Sequence, residues 1–397
     1  MTKPLRIALI MQGGRDWIGG TQYIKNIILA LGSLPEEVRS TFELCLITSK
    51  SLDSSLYSEI FPYLKDIYDL EVDLEPLTPS NRLRWKLIET LFKQDNPRFD
   101  ALIEKNNIDF LYPSFSQCGS PKSYRSAAWI ADFQHKYLPQ FFTESELEWR
   151  DSSYKLTARY ASSVVMSSKT AEADFQKFFP EAAHKSKVLS FKSCPPSEWY
   201  ETDAQQIQKE YCLPDRFFLV SNQFWKHKNH LIVFKALKLL QEKSIYPIVV
   251  CTGHLYDRRQ PDYIDTILQT LHQLDIAKQV YLLGLIPRLS QIQLMRRSLA
   301  VIQPSLFEGW STVVEDARCL GKAIILSDIP VHLEQNPPNS LLFERNSPES
   351  LAIQIAEWWE HLSAGPDLEQ EVIAKANNFN EIQAFGYRFL EIAQGSS

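Results

Sequence analysis

Short apolar runs alternate with amphipathic helical stretches along this chain, and the alternation is set up twice, with a pause between. No other feature constrains its fold as strongly. Arg6-Ile-Ala-Leu-Ile-Met11 is a continuous apolar run closed by Gly13-Gly14, the pattern of a strand buried on both faces. After a short loop and Gly19-Gly20-Thr21, the apolar residues Ile24, Ile27, Ile28 and Leu31 fall at helical spacing. Strand patterns recur at 42–48, 108–112, 128–131 and 163–166, with helical stretches between them. One of these stretches carries Leu83, Leu87 and Leu91 with Ile88 and Phe92. Strands alternating with helices predict a parallel sheet flanked by helices.

The pattern pauses around Cys194-Pro-Pro196 and Leu213-Pro214, where no long periodic apolar face exists. It then resumes, with strands expected at 216–220, 247–251, 280–283, 300–302 and 323–326. Helices are expected at 230–242, 262–275, 289–297, 313–320 and 348–362. The expected organisation is a first α/β domain over 1–190, a linker over 191–214 and a second α/β domain over 215–375. A terminal helix over 376–397 is expected to return to the first domain. Open α/β sheets bind ligands outside the carboxyl ends of their strands, so two such sheets facing one another are expected to offer a cleft.

Composition narrows the function classes. A net charge of −6 argues against a dedicated nucleic-acid binder, whose domains are usually basic. The 6 cysteines are widely spaced and form no Cys-x-x-Cys, which fits a reducing compartment better than a zinc site or a disulfide scaffold. No apolar stretch approaches the roughly 20 residues of a membrane span. A cytoplasmic protein is expected.

Four stretches could carry chemistry. In Pro304-Ser-Leu-Phe-Glu308-Gly-Trp-Ser-Thr-Val-Val-Glu315-Asp316, a strand is followed by a turn and a helix. Thr312 and Glu315 have the spacing of a capping box, which places the helix start near Val313. Gly309, Trp310 and Ser311 would then offer backbone N–H groups at a helix end suited to phosphate or sugar oxygens. Glu308 and Asp316 flank that turn, and carboxylates accept hydrogen bonds from hydroxyls. The second stretch, Asn222-Gln-Phe-Trp-Lys226-His-Lys228-Asn-His230, sets potentially cationic residues at a helix N-terminus, against the macrodipole. An anion held there would resolve the conflict. The third is the Gly19-Gly20-Thr21 turn, whose spacing from Gly13-Gly14 is not that of a dinucleotide fingerprint. The fourth is Trp129-Ile-Ala-Asp132-Phe-Gln-His135, just past a strand end. Each also has a structural reading: a capped turn, a solvated basic loop, tight turns and a loop histidine.

The stretch from Glu308 to Asp316 resembles the E-x₇-E signature of family 4 (group 1) retaining glycosyltransferases, which have two Rossmann-like domains in the B-type glycosyltransferase fold. The resemblance runs over nearly the whole chain and is strongest at 300–335 and 219–240. It implies that Glu308 contacts the donor sugar and that the amides at 309–311, with Thr312, contact sugar or phosphate. Aligned on Gly321, Asp316 takes the place of the second acid, which holds the ribose, with Glu315 able to share the role. Lys228 matches a phosphate-binding lysine. Gln223 stands where the family has an arginine, and Lys226 is the candidate substitute.

The resemblance further implies that Gly19, Gly20 and Thr21 approach the diphosphate, that Leu285 after Gly284 lies against the base, and that Asn222 belongs to the donor site. Ala131-Asp132 stands where many members have His-Asp, leaving His135 or Asp132 for the contact to the donor sugar. The implied activity is retaining transfer from a nucleoside diphosphate sugar to a glycan, lipid-linked or small-molecule acceptor, with Glu308, His135 and Lys228 as catalytic candidates. Cell-surface polysaccharide or glycoconjugate synthesis is the expected setting. No cofactor beyond the donor is expected and, with no Asp-x-Asp motif, no metal. Arg82, Arg84, Lys86 and Lys93 on the helix at 82–93 could meet anionic lipid at the inner face of a membrane. A sugar-nucleotide epimerase, a glycan phosphorylase and a non-catalytic sugar-nucleotide-binding relative stand as alternatives.

Overall fold

The computed structural model describes the chain except residues 1–2, 15–16, 93–95, 115–121, 258 and 396–397. Lys93 and Cys118 therefore lie outside the described residues. The chain forms two compact units. The first comprises Met1–Phe133, Glu144–Cys194 and Glu381–Ser397, and the second Gln134–Thr143 and Pro195–Asn380.

In the first unit, β1 (Leu5–Ile10), β2 (Phe42–Thr48), β3 (Asp66–Asp69), β4 (Phe110–Tyr112) and β5 (Arg125–Ser126) form a parallel sheet. Its order is β3-β2-β1-β4-β5. After Ala127 the chain continues into a second parallel sheet of β6 (Ala128–Ile130), β7 (Val164–Met166) and β8 (Ser186–Val188). The strand order reverses between β1 and β4, and the helix Ile18–Gly32 follows β1.

The second unit holds six parallel strands: β9 (Phe218–Ser221), β10 (Val249–Thr252), β11 (Val280–Gly284), β12 (Val301–Gln303), β13 (Ile324–Ser327) and β14 (Ser340–Phe343). Their order, β11-β10-β9-β12-β13-β14, is the doubly wound arrangement, with its reversal between β9 and β12. Alternation along the strands divides two cores. Phe218 and Val220 pack with Val249 and Ile302 on one face, and Leu219 with Val250 and Val301 on the other. Burial on both faces is why these strands read as continuous apolar runs.

Three expectations need correction. Residues 195–214 pack as part of the second unit and carry the helices Glu198–Glu201 and Ala204–Glu210. Trp199 and Leu213 bury there and Gln293 Nε2 donates to Trp199 O at 2.9 Å, so single anchors replace the periodic face that a longer helix would need. The terminal helix begins at Leu368 and runs to Gln394. Its first residues belong to the second unit; in the first unit Phe389 packs edge-on against Phe110 and Tyr112. Finally, in the helix Pro79–Phe92 it is Trp85 that buries, while Leu87 is 56% exposed beside exposed Arg82, Arg84 and Lys86. Leu87, expected on the apolar stripe, is thus not on the inner face. Among the described residues, no helix is long and apolar enough to cross a membrane.

Candidate active site

The reversal between β9 and β12 leaves a crevice at the carboxyl ends of neighbouring strands whose connections run apart, the position where doubly wound sheets take ligands. Two loops meet there. Leu306 N–H donates to His227 O at 2.8 Å, tying the loop after β12 to the loop after β9. Asn222 Nδ2 donates to Gln303 Oε1 at 2.7 Å, joining the strand ends themselves.

Glu308 is the centre of this arrangement. Its Oε1 accepts from Lys228 Nζ at 2.6 Å, Ser305 Oγ at 2.6 Å and Gln303 Nε2 at 3.0 Å. Ser305 and Gln303 are fully buried, and Ser305 O accepts from Ser327 Oγ at the end of β13. A carboxylate held by three donors is fixed in place. Lys228 ends the short helical turn Lys226–Lys228 and precedes Asn229, whose left-handed φ of 57° redirects the chain into the helix His230–Gln241.

The basic loop is less cationic than its sequence. Burial, with the charge of Lys228, pushes His227 well below the usual histidine value. His230, stacked on Phe224 at 4.1 Å, is pushed down to about 3 by the same burial. Both histidines are neutral, so Lys226 and Lys228 carry the charge. They diverge: Lys226 Nζ donates to Gln260 Oε1 at 2.8 Å rather than joining Glu308.

The turn after Glu308 runs through partly exposed Gly309 and Trp310 into the helix Thr312–Cys319. The expected capping box is not formed. Ser311 is the N-cap, its Oγ accepting from Val314 N–H, and Thr312 is the first helical residue. Ser311 N–H donates to Gln335 Oε1 at 3.1 Å. Glu315 is buried and accepts from Arg318 Nη2 at 2.7 Å and from Gln335 Nε2 at 3.2 Å. Asp316 is also buried, 2.7 Å from Arg288 Nη2. Both acids at the helix start thus carry cation partners. Leu285, after the left-handed Gly284, is 57% exposed at the end of β11.

Asn222, Lys226, Lys228, Leu285, Glu308–Thr312, Glu315 and Asp316 therefore all stand at the carboxyl edge of one sheet, with Lys228 and Glu308 in direct contact. His135 lies in Gln134–Thr143, which groups with the second unit although the sequence places it in the first domain. It is buried near Phe142, and on the same segment Tyr137 stacks on Phe307, the residue before Glu308. Gly19, Gly20, Thr21 and Asp132 belong to the first unit. Gly19 and Gly20 are not a turn but the first residues of the helix Ile18–Gly32, and Gly20 packs under the ring of Trp17. Thr21 Oγ1 donates to Gln12 O at 3.0 Å and accepts from Gly14 N–H at 2.9 Å.

Sequence reasoning missed Gln303, Ser305, Gln335, Arg288 and Gly253. Gln303 offered one signal, an amide closing an otherwise apolar strand. Gly253 offered none, but its backbone has φ +135° and a Cβ there would lie 2.2 Å from Asn222 O.

Residues 203–378, the greater part of the second unit, match the family described as Glycosyl transferases group 1. That stretch is therefore similar to a group 1 glycosyltransferase domain. Both units together also resemble solved structures. One is Anabaena Alr3699/HepE in complex with UDP and glucose, with a TM-score of 0.65 and 15% identity over 98% of this chain and 100% of that one. Another is a glycosyltransferase from Rickettsia africae, with a TM-score of 0.66 and 12% identity over 99% and 100%. Sucrose-phosphate synthase from Thermosynechococcus elongatus gives 0.63 and 15% identity over 98% of each chain. No curated protein matches the chain by sequence. Two α/β units with parallel sheets are the architecture of the B-type glycosyltransferase fold, which this chain shares.

Proposed function

We propose that this protein transfers a sugar from a nucleoside diphosphate sugar to an acceptor hydroxyl with retention of anomeric configuration. The observation that carries the reading is the Lys228–Glu308 pair at the β9/β12 switch point. A diphosphate sugar presents an anion beside hydroxyls, so its phosphate would take Lys228 and its hydroxyls Glu308 as the two part. The amides of Gly309 and Trp310 would add donors to the phosphate or sugar oxygens, that of Ser311 being taken by Gln335. As the bond to the diphosphate breaks, negative charge grows on the leaving oxygen, and Lys228 would stabilise it without reorganisation. Lys226, His135 on the segment beside Phe307, and the Gly19–Thr21 helix start in the first unit are proposed to complete donor binding.

We also propose a reaction that needs no divalent ion or further cofactor, supported by the lack of any Asp-x-Asp pair in the sequence. A glycan, lipid-linked or small-molecule acceptor in cell-surface polysaccharide or glycoconjugate synthesis fits this activity. Exposed Arg82, Arg84, Lys86 and Leu87 support a peripheral contact with anionic lipid. The test is incubation with UDP-, GDP- and ADP-sugars, with and without EDTA, following nucleotide release. Release that Glu308→Gln abolishes supports the reading. Donor binding without turnover, with acceptors supplied, would establish the non-catalytic alternative, and failure to bind any nucleotide would sink the proposal.

A further inference from the structure

The first unit ends its β1/β4 switch point in rings where the second unit has charges. Trp17 directly precedes the helix after β1 and stacks on Trp129 of β6, with centroids 5.6 Å apart and planes 10° from parallel. Tyr23, one turn into that helix, stacks on Trp129 in turn at 4.2 Å and 17°. The inner end of the stack is anchored. Tyr23 Oη and Tyr112 Oη, at the end of β4, lie 2.6 Å apart, and Trp129 Nε1 donates to Ser167 Oγ at 3.0 Å. The outer end is open: Tyr23 is 3% exposed, Trp17 41%. The backbone is shaped around that outer ring, since a Cβ on Gly20 would lie 2.8 Å from Trp17 Cε3.

A large exposed ring held in one orientation, with no charged group among the described side chains that fix the stack, suits an uncharged ligand with a flat apolar face. A pyranose has one: its axial C–H groups line one face while its hydroxyls point outward to polar partners. Pockets of this kind combine aromatic walls with a few placed polar groups, and the carboxyl end at a switch point is where such a sheet binds. We propose that Trp17, backed by Trp129 and Tyr23, is the platform on which a sugar ring of a saccharide acceptor stacks. This rests on the reading of the protein as a glycosyltransferase and names the acceptor as a neutral saccharide.

The test measures binding of neutral mono- and disaccharides (glucose, galactose, maltose, cellobiose) by titration calorimetry without donor, up to roughly 10 mM, above the usual range of substrate affinities. Glycerol serves as a hydroxyl control. At least one saccharide should bind the native protein, Trp17→Ala should weaken it roughly tenfold or more, the scale on which loss of a stacking ring is felt, and Trp17→Phe should restore most of the loss. Circular dichroism establishes that the variants are folded, and Trp129→Phe gives a second route should Trp17→Ala unfold. Absence of binding by every saccharide, binding no better than glycerol, or unchanged binding in folded Trp17→Ala overturns the platform. UDP, GDP and ADP titrations of the native protein stand apart: their failure defeats the proposed activity, whatever the saccharides do.

Discussion

Lys228 Nζ stands 2.6 Å from Glu308 Oε1, so the loop after β9 and the loop after β12 are joined by the two groups expected to handle the donor. Their side chains are only 16% and 9% exposed, so each is the other's main counter-charge until a ligand separates them. Substituting the two should therefore move nucleotide affinity in opposite directions. Lys228→Met should weaken UDP binding about 10- to 100-fold, the worth of a hydrogen bond to a charged group. Glu308→Gln frees the lysine and should leave UDP affinity equal or higher, while lowering turnover about 100-fold or more through the lost sugar contact. Calorimetry with UDP alongside donor turnover decides it; equal weakening by both would make the pair a fold element and nothing more.

Asp316 is placed as a structural partner of Arg288 more than as a hydroxyl acceptor. It is fully buried, and Arg288, whose guanidinium also lies over Trp199, reaches it at 2.7 Å. Removing one member of a buried pair costs about 3–5 kcal/mol, and the partial exposure of Arg288 puts Asp316→Asn nearer about 2–3 kcal/mol. The double variant with Arg288→Met should recover part of that loss in a mutant cycle. Urea unfolding measures both. A folded Asp316→Asn protein of native stability but poor UDP affinity would return Asp316 to the role that the E-x₇-E resemblance gives it.

The helix after the Glu308 turn offers a cleaner contrast. Ser311 Oγ caps it, so Ser311→Ala should cost about 1 kcal/mol. Thr312→Ala, at the first helical position, should stay within about 0.5 kcal/mol, as surface changes usually do. Denaturant midpoints separate the two. A larger loss at Thr312 would restore the capping box that the sequence suggests.

What could be read beforehand follows from physical range. Strand runs such as Leu5–Ile10 and Phe218–Ser221 declare themselves because both faces are buried. Edge strands such as Asp66–Asp69 and Ser340–Phe343 do not, being short and half exposed. Glu308 and Lys228 were legible as charges beside helix starts, but that they touch was not, since the contact joins residues 80 apart. Ser311 and Thr312 are both good caps, and only backbone geometry chooses between them. The neutrality of His227 and His230 depends on burial, to which a run of Lys, His and Lys gives no clue.

Gly253 is the test of the part of the site that no motif announced. Its φ of +135° excludes other residues, and an added Cβ would meet Asn222 O at 2.2 Å. Gly253→Ala must therefore push the end of β9 aside and disturb the Asn222–Gln303 bond that supports Glu308. An expected loss of about 1–3 kcal/mol for strained backbone should come with weaker donor turnover. Gly284→Ala, with a left-handed φ but open space around it, should cost about 1 kcal/mol. Comparing unfolding free energies and turnover of the two variants separates the close approach from backbone conformation alone.

Acid should weaken this fold earlier than carboxylate protonation would. Burial lowers His230 to about 3 and His332, which sits against Ser327 below the Glu308 loop, to about 4. An unfolded histidine titrates near 6.5, so above that value both states are neutral and the histidines contribute no pH dependence. Below it the unfolded chain binds protons that the folded chain refuses, and stability must fall with pH until the folded values are reached. At pH 5 the two histidines together should lower stability by about 3–4 kcal/mol relative to pH 7.5. Urea unfolding at pH 7.5, 6.5, 5.5 and 5 would show the slope. Because His227 is held neutral by burial as well, His332→Gln and His230→Gln should each flatten it by about a third, even if they lower the plateau, because an uncharged amide has no proton to gain. A slope unchanged in both variants would mean that other groups take up the protons on unfolding.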